Sequence, residues 1–189
     1  AIADRRRRGM IPCRESARLT AMDILVEPTD DRTRGRLTWG RRQVPCALGR
    51  AGIAPVKKEG DGATPVGRFA LRRLFYRADR RTRPETALPT TPITPNLGWC
   101  DDPISPAYNR LVRLPCPWRH EELARADGVY DLVVVLGHND APPQPGAGSA
   151  IFLHLATPDF APTEGCVALA ETDLVALLRA ASPGDVITV

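Results

Sequence analysis

Apolar positions along the chain cluster in short runs set between turn residues. "MDILVEP", from Met22 to Pro28, reads as a first strand. "GRLTWG" and "RQVPCALG" follow on either side of Gly40 and Arg41, and their β-branched and aromatic residues predict a hairpin. "VKKEGDGATPVGRFALRRLFY" starts as a glycine-rich loop and ends in an alternating strand. "DLVVVLGH" and "AIFLHLA" are the most apolar β-rich runs, joined by the turn-rich "NDAPPQPGAGS", and they predict central strands of a sheet. "ETDLVALLRAAS" has helical spacing, with Leu174, Val175, Leu177 and Leu178 on one side. Thr172 is placed to cap it and Pro183-Gly184 to stop it. "DVITV" closes the chain as a strand.

Between these runs, residues 78 to 120 carry a proline every few positions and predict a long irregular segment, the kind of loop that usually carries function. "EELARADGVY" after it predicts a short helical turn. The expected fold is mostly β with a minor α part: one main C-terminal helix and a long irregular insertion. A single domain is expected over residues 22–189. Residues 1–21 are expected to be a tail, a cloning remnant or an overlong start.

Composition narrows the function classes. No apolar run approaches the roughly 20 residues of a membrane helix, so a chain that does not span the membrane is expected. The formal net charge is +4, and Lys57 and Lys58 are the only lysines beside many arginines. No aromatic residues interleave with a basic stripe, so nucleic acid is not an expected partner. The N-terminal arginine run resembles the start of an export signal, but no apolar segment of 7–15 residues follows it. Cys13, Cys46, Cys100, Cys116 and Cys166 form no C-x-x-C pair, which argues against a zinc ribbon or thioredoxin site. Cys100 and Cys116 flank the irregular segment, and whether they pair is left open.

The candidate chemistry lies in "SAIFLHLATPDFAPTEGCVALAETDL". His154 sits in a strand-like run, and Cys166 follows in a turn after Gly165. A cysteine attacks carbonyls as thiolate, and a free thiol with a pKa of about 8.5 is little ionised at neutral pH. A neighbouring histidine can take the proton. Gly165 lets backbone approach a substrate, and the amides around Gly165 and Cys166 can form an oxyanion hole. A buried core cysteine and histidine explain the same spacing without chemistry. His138, Asp140, His154 and Cys166 also permit a metal reading, but no helix-borne pair of ligands supports it. The glycines of residues 60–67 do not form a phosphate loop, since no G-x-x-x-x-G-K-[ST] is present. No cofactor and no metal are expected.

"IFLHLA…PTEGCVAL" and the upstream "GATPVGRF" resemble the two ordered motifs of the L,D-transpeptidase (YkuD) catalytic domain family, over roughly Met22 to Val189. "GWCDDPISPAYNRLVRLP" and "DLVVVLGHND" look like a small, stand-alone bacterial subgroup of it. The resemblance implies a β-sandwich-like catalytic domain acting on peptidoglycan stem peptides in the periplasm or cell envelope, expected as a monomer. It implies Cys166 as nucleophile, His154 as general base and Gly165 with the Cys166 amide as oxyanion hole. A backbone carbonyl that the sequence does not identify would orient His154. Thr163 matches the family's Ser/Thr position and would brace the loop. In the family the cysteine attacks the third residue of a tetrapeptide stem, D-Ala leaves, and an amine resolves the thioester.

This chain departs from the pattern in a short gap between His154 and Cys166 and at two positions. Glu164 stands where many members have His, and Ala168 where many have Arg. Arg110 in "YNR" is the expected replacement, a clamp for a substrate carboxylate. Tyr108 and His138 are further expected substrate-binding residues. Water in place of the amine would make the protein a carboxypeptidase or amidase. A non-catalytic cell-wall-binding module is the other alternative.

Overall fold

The computed structural model describes residues 21–189, so the expected N-terminal tail and Cys13 lie outside the described residues. The chain opens with β1 (Asp23–Pro28) and the hairpin of β2 (Arg34–Trp39) and β3 (Arg42–Ala47). Trp39 opposes Arg42, and the two-residue turn between them has Gly40 at φ 55°, a left-handed conformation that glycine adopts without strain. The glycine-rich stretch that follows holds a short parallel pair, β4 (Ile53–Ala54) and β5 (Thr64–Pro65), and leads into the long strand β6 (Arg68–Tyr76).

The segment expected to be irregular holds four short strands: β7 (Thr90–Pro92), β8 (Leu97–Cys100), β9 (Arg110–Arg113) and β10 (His120–Glu122). β7 extends the main sheet beside β6, while β8 to β10 form a separate three-stranded sheet. These strands are only three or four residues long, too short for alternation to mark them in the sequence. Residues 121–130, "EELARADGVY", where a helical turn was expected, contain no helix; the end of β10, bends and a turn occupy them. The two apolar runs become β11 (Leu132–Leu136) and β12 (Phe152–Leu155), as their composition predicts. They are followed by β13 (Val167–Leu169), α1 (Glu171–Ala180) and β14 (Val186–Thr188).

The main sheet runs β11-β12-β13-β3-β2-β1-β14-β6-β7, and pairing of β11 with β6 closes it on itself. This mostly β, barrel- or sandwich-like arrangement with one C-terminal helix is the fold class the sequence predicts. Closure explains why β11 and β12 read as unbroken apolar runs: both of their faces are buried. Leu132, Val134, Leu153, Leu155, Val167 and Leu169 point into the larger core. The alternate residues Val133, Val135, Phe152 and Cys166 point into a second core that includes Leu97 and Trp99 of β8. The insertion thus roofs the face of the sheet that bears Cys166.

Helix α1 seals the first core with Leu174, Leu177 and Leu178, and Val175 packs beside them. Glu171 and Asp173 in its first turn and Arg179 in its last complement the helix dipole. Thr172 does not cap it. The helix begins at Glu171, so the N-cap position falls to Ala170, which provides no side-chain bond. Cys100 and Cys116 are both free thiols. Cys100 is buried in β8, while the Cys116 thiol lies 3.4 Å from the Trp118 carbonyl.

Leu174 is fully buried at the contact between helix and sheet. Leu174→Ala is expected to cost about 2–5 kcal/mol of stability. Urea unfolding should show a lower midpoint, and an unchanged midpoint would contradict this packing.

Candidate active site

β12 and β13 pair in parallel, with Leu153 opposite Val167 and His154 opposite Ala168. Side chains alternate along a strand, so Phe152, His154, Cys166 and Ala168 share one face. A parallel pair needs a crossover between its strands, and residues 156–165 provide it. The turn before β13 therefore delivers Cys166 beside the strand that carries His154. Both side chains line one cavity of about 430 Å³.

The Cys166 thiol is held by backbone. Its Sγ accepts the Phe152 N–H at 3.3 Å and donates to the Ala150 carbonyl at 3.2 Å. Burial pushes the thiol up to about 12, with the Glu121 carboxylate adding in the same direction. His154 is buried as well. Its Nδ1 lies 2.9 Å from the Leu155 carbonyl. A carbonyl only accepts, so the hydrogen belongs on Nδ1 and the lone pair on Nε2. Burial pulls the imidazole down to about 4. At neutral pH the cavity thus holds a neutral thiol and a neutral imidazole.

The loop between them is stapled from two sides. Thr163 Oγ1 donates to the Cys166 carbonyl at 2.7 Å and accepts the Gly165 N–H at 3.1 Å. Thr163 itself bridges in parallel to Gly49, and the Arg50 N–H donates to its carbonyl at 2.8 Å. Glu164 turns outward to Arg50, with a shortest contact of 2.8 Å. Gly165 has φ 131°, and a Cβ there would lie 2.7 Å from the Ala63 carbonyl oxygen. The Gly165 amide is thus spent on Thr163.

The residues expected around the pair divide between two places. Tyr108 is buried behind the cavity, where it and Ser149 donate to Glu59 on the cavity wall. Arg110 and His138 line a second cavity of about 230 Å³ that shares no lining residue with the first. Arg110 therefore does not stand at the position that Ala168 leaves without an arginine. β9 carries it to the far side of the roof, because β9 pairs with β8 rather than with the strands of the site. His138 braces its loop, with Nε2 donating to the Ala147 carbonyl at 3.0 Å and the ring edge-on to Phe69. Among the described residues, no group of three His, Cys, Asp or Glu is placed to hold a metal ion.

Several residues at the site escaped the sequence reading. Tyr130 packs edge-on against His154 at 5.2 Å and donates to Glu121 at 2.8 Å. Asn109, buried between Tyr108 and Arg110, uses its whole amide. Its Oδ1 accepts from Trp99 Nε1 and the Ala150 N–H, and its Nδ2 donates to the carbonyls of His138 and Asn139. It thereby ties the roof to the residue whose carbonyl holds the Cys166 thiol. Lys57 lines the cavity with a side chain only 6% exposed. A lysine in the glycine-rich loop was the available signal for it, and the loop's register against Gly165 was not visible in the sequence.

The model of the L,D-transpeptidase catalytic domain family (YkuD) matches residues 23–189. Among solved structures, the chain is similar to L,D-transpeptidase 1 of Mycobacterium tuberculosis at 14% identity and a TM-score of 0.38. The match covers 89% of this chain and 60% of that one, so this chain spans less than two thirds of that protein's length. No curated protein matches significantly.

Two outcomes test this geometry. A thiol raised to about 12 stays protonated through neutral pH, and its thiolate fraction grows tenfold per pH unit until the pKa is reached. Iodoacetamide alkylation of Cys166 should therefore keep rising to pH 10 without a plateau, as followed by peptide mass spectrometry. A plateau near pH 8 would contradict the buried neutral thiol. Gly165→Ala places a methyl against the Ala63 carbonyl and should lower Cys166-dependent activity at least about tenfold, with a melting temperature shift of only a few degrees.

Proposed function

Because the chain belongs to the L,D-transpeptidase catalytic-domain (YkuD) family, we propose that it is a cysteine transpeptidase of peptidoglycan tetrapeptide stems, working through a Cys166 thioester in the cell envelope. The observation that carries this reading is the placement of Cys166 and His154 on one face of two paired strands, inside one cavity.

The chemistry follows from two neutral groups. As Cys166 Sγ attacks the carbonyl of the stem's third residue, its proton passes to Nε2 of His154. The Leu155 carbonyl holds the opposite nitrogen and stabilises the imidazolium that forms. Negative charge develops on the former carbonyl oxygen, and the Cys166 amide is the donor that meets it. One such donor is often worth roughly 2.7–4 kcal/mol in the transition state. Collapse breaks the amide bond, and the D-Ala amine leaves with the proton from His154. An amine acceptor then attacks the thioester carbonyl and gives its proton to His154. The C–S bond breaks, the proton returns to sulfur, and a new amide remains. Transfer of the proton during attack suits this pair, because the resting thiol is too weakly acidic to ionise first.

Burial also sets the acid limb. With the imidazole pulled from 6.5 to about 4, His154 remains an acceptor until the pH approaches 4. kcat/KM should therefore fall as pH drops through about 4, and not near 6.5. Incubation with a disaccharide-tetrapeptide tests the reaction by mass spectrometry. Loss of D-Ala with a new cross-linked dimer, absent in Cys166→Ala, is expected. Loss of D-Ala to water alone would make the protein a hydrolase, and absence of any Cys166-dependent product would overturn the reading.

A further inference from the structure

Ala168 and the remote Arg110 leave the cavity without the cation that the sequence led one to expect beside the cysteine. Three other cations line its wall. Arg119 and Arg125 are both exposed residues, paired with Asp101 and Asp127. Lys57 differs in being buried directly against the cysteine loop.

The fold makes room for it with two glycines. A Cβ on Gly148 would lie 2.6 Å from Lys57 Cγ, and one on Gly165 would lie 3.2 Å from Lys57 Nζ. Any side chain at Gly148 would displace the lysine stem, and Gly165 allows its ammonium to lie beside the residue that precedes Cys166. Asp61 anchors the ammonium from one side and is itself held by the N–H groups of Lys58 and Ala63. An ammonium has three N–H donors, and among the described residues only Asp61 accepts from it. A buried donor without an acceptor is costly, and its attraction for an anion is strong because little water screens it.

We propose that Lys57 binds the terminal carboxylate of the departing residue and so restricts the enzyme to stems that end in a free carboxylate. This rests on the transpeptidase reading, in which the C–N bond to the acyl carbon breaks and a D-amino acid leaves through its nitrogen, with the carboxylate on the adjacent Cα. The ammonium lies beside Gly165 and lines the same cavity as Cys166, within reach of a group that leaves when the acyl carbon meets Sγ. Its remaining N–H groups provide the charge-assisted hydrogen bonds that a carboxylate needs.

The test compares two donors that differ only at the C-terminus, a tetrapeptide stem ending in D-Ala and the same stem ending in D-alaninamide. Acyl-enzyme formation on Cys166 is followed by mass spectrometry, and kcat/KM is measured for each donor. Wild type should prefer the carboxylate by about 10- to 100-fold. Lys57→Met should erase most of that preference while turnover of the amide stays within about threefold, which also shows that the variant folds. Lys57→Arg should restore part of the preference. A preference that survives Lys57→Met, an equal fall with both donors, or no preference in wild type would overturn the proposal. No Cys166 adduct with either donor in wild type would instead overturn the transpeptidase reading, and this inference with it.

Discussion

The parallel pairing of β12 with β13 is the constraint on which the site depends. A parallel neighbour cannot be reached through a tight turn, so the chain must cross over, and the crossover ends in the loop that carries Cys166. The same register fixes which side chains share a face. His154 and Cys166 fall on the roofed side, while Leu153, Leu155, Val167 and Leu169 fall in the larger core. A slip of one residue would exchange the two sets and bury leucines in the cavity. The larger core and the candidate site thus lie on opposite faces of the same two strands.

Burial then sets the electrostatics. The thiol and the imidazole are both taken out of water, and each is held in its uncharged form, with the thiol pushed up to about 12 and the imidazole down to about 4. Backbone groups compensate for the lost water: Ala150 and Phe152 for sulfur, Leu155 for the ring. These contacts orient the groups without charging them. The small sheet of the insertion supplies the cover, and Asn109 locks that cover to Ala150 through a side chain whose four bonds are all inside the protein. Position 150 takes φ 51°, a conformation uncommon for alanine, and the Asn109 bond to its N–H helps hold it.

Much of the fold was legible because its causes are local. The turn at Gly40 and Arg41 announced the β2–β3 hairpin, the apolar runs announced β11 and β12, and helical spacing announced α1. The failures were local as well. Thr172 looked like a cap, but the helix that buries Leu174, Leu177 and Leu178 starts two residues earlier, with Ala170 at the N-cap. β8, β9 and β10 are only three or four residues long, and their pairing comes from tertiary contact rather than from alternation along the chain.

The sequence by itself determined the residue types of the candidate site: a histidine in an apolar run, a cysteine after a glycine, a threonine at the start of the turn. Only the tertiary structure decided which of the other candidates join them. It sent Arg110 and His138 to a second cavity, brought Lys57 from a distant loop against Gly165, and assigned the Leu155 carbonyl to His154. The reason is physical. Spacing along a chain fixes the neighbours of a residue within one strand or helix, whereas the neighbours across a closed sheet are fixed by register and closure. Those depend on how the whole apolar surface is buried at once.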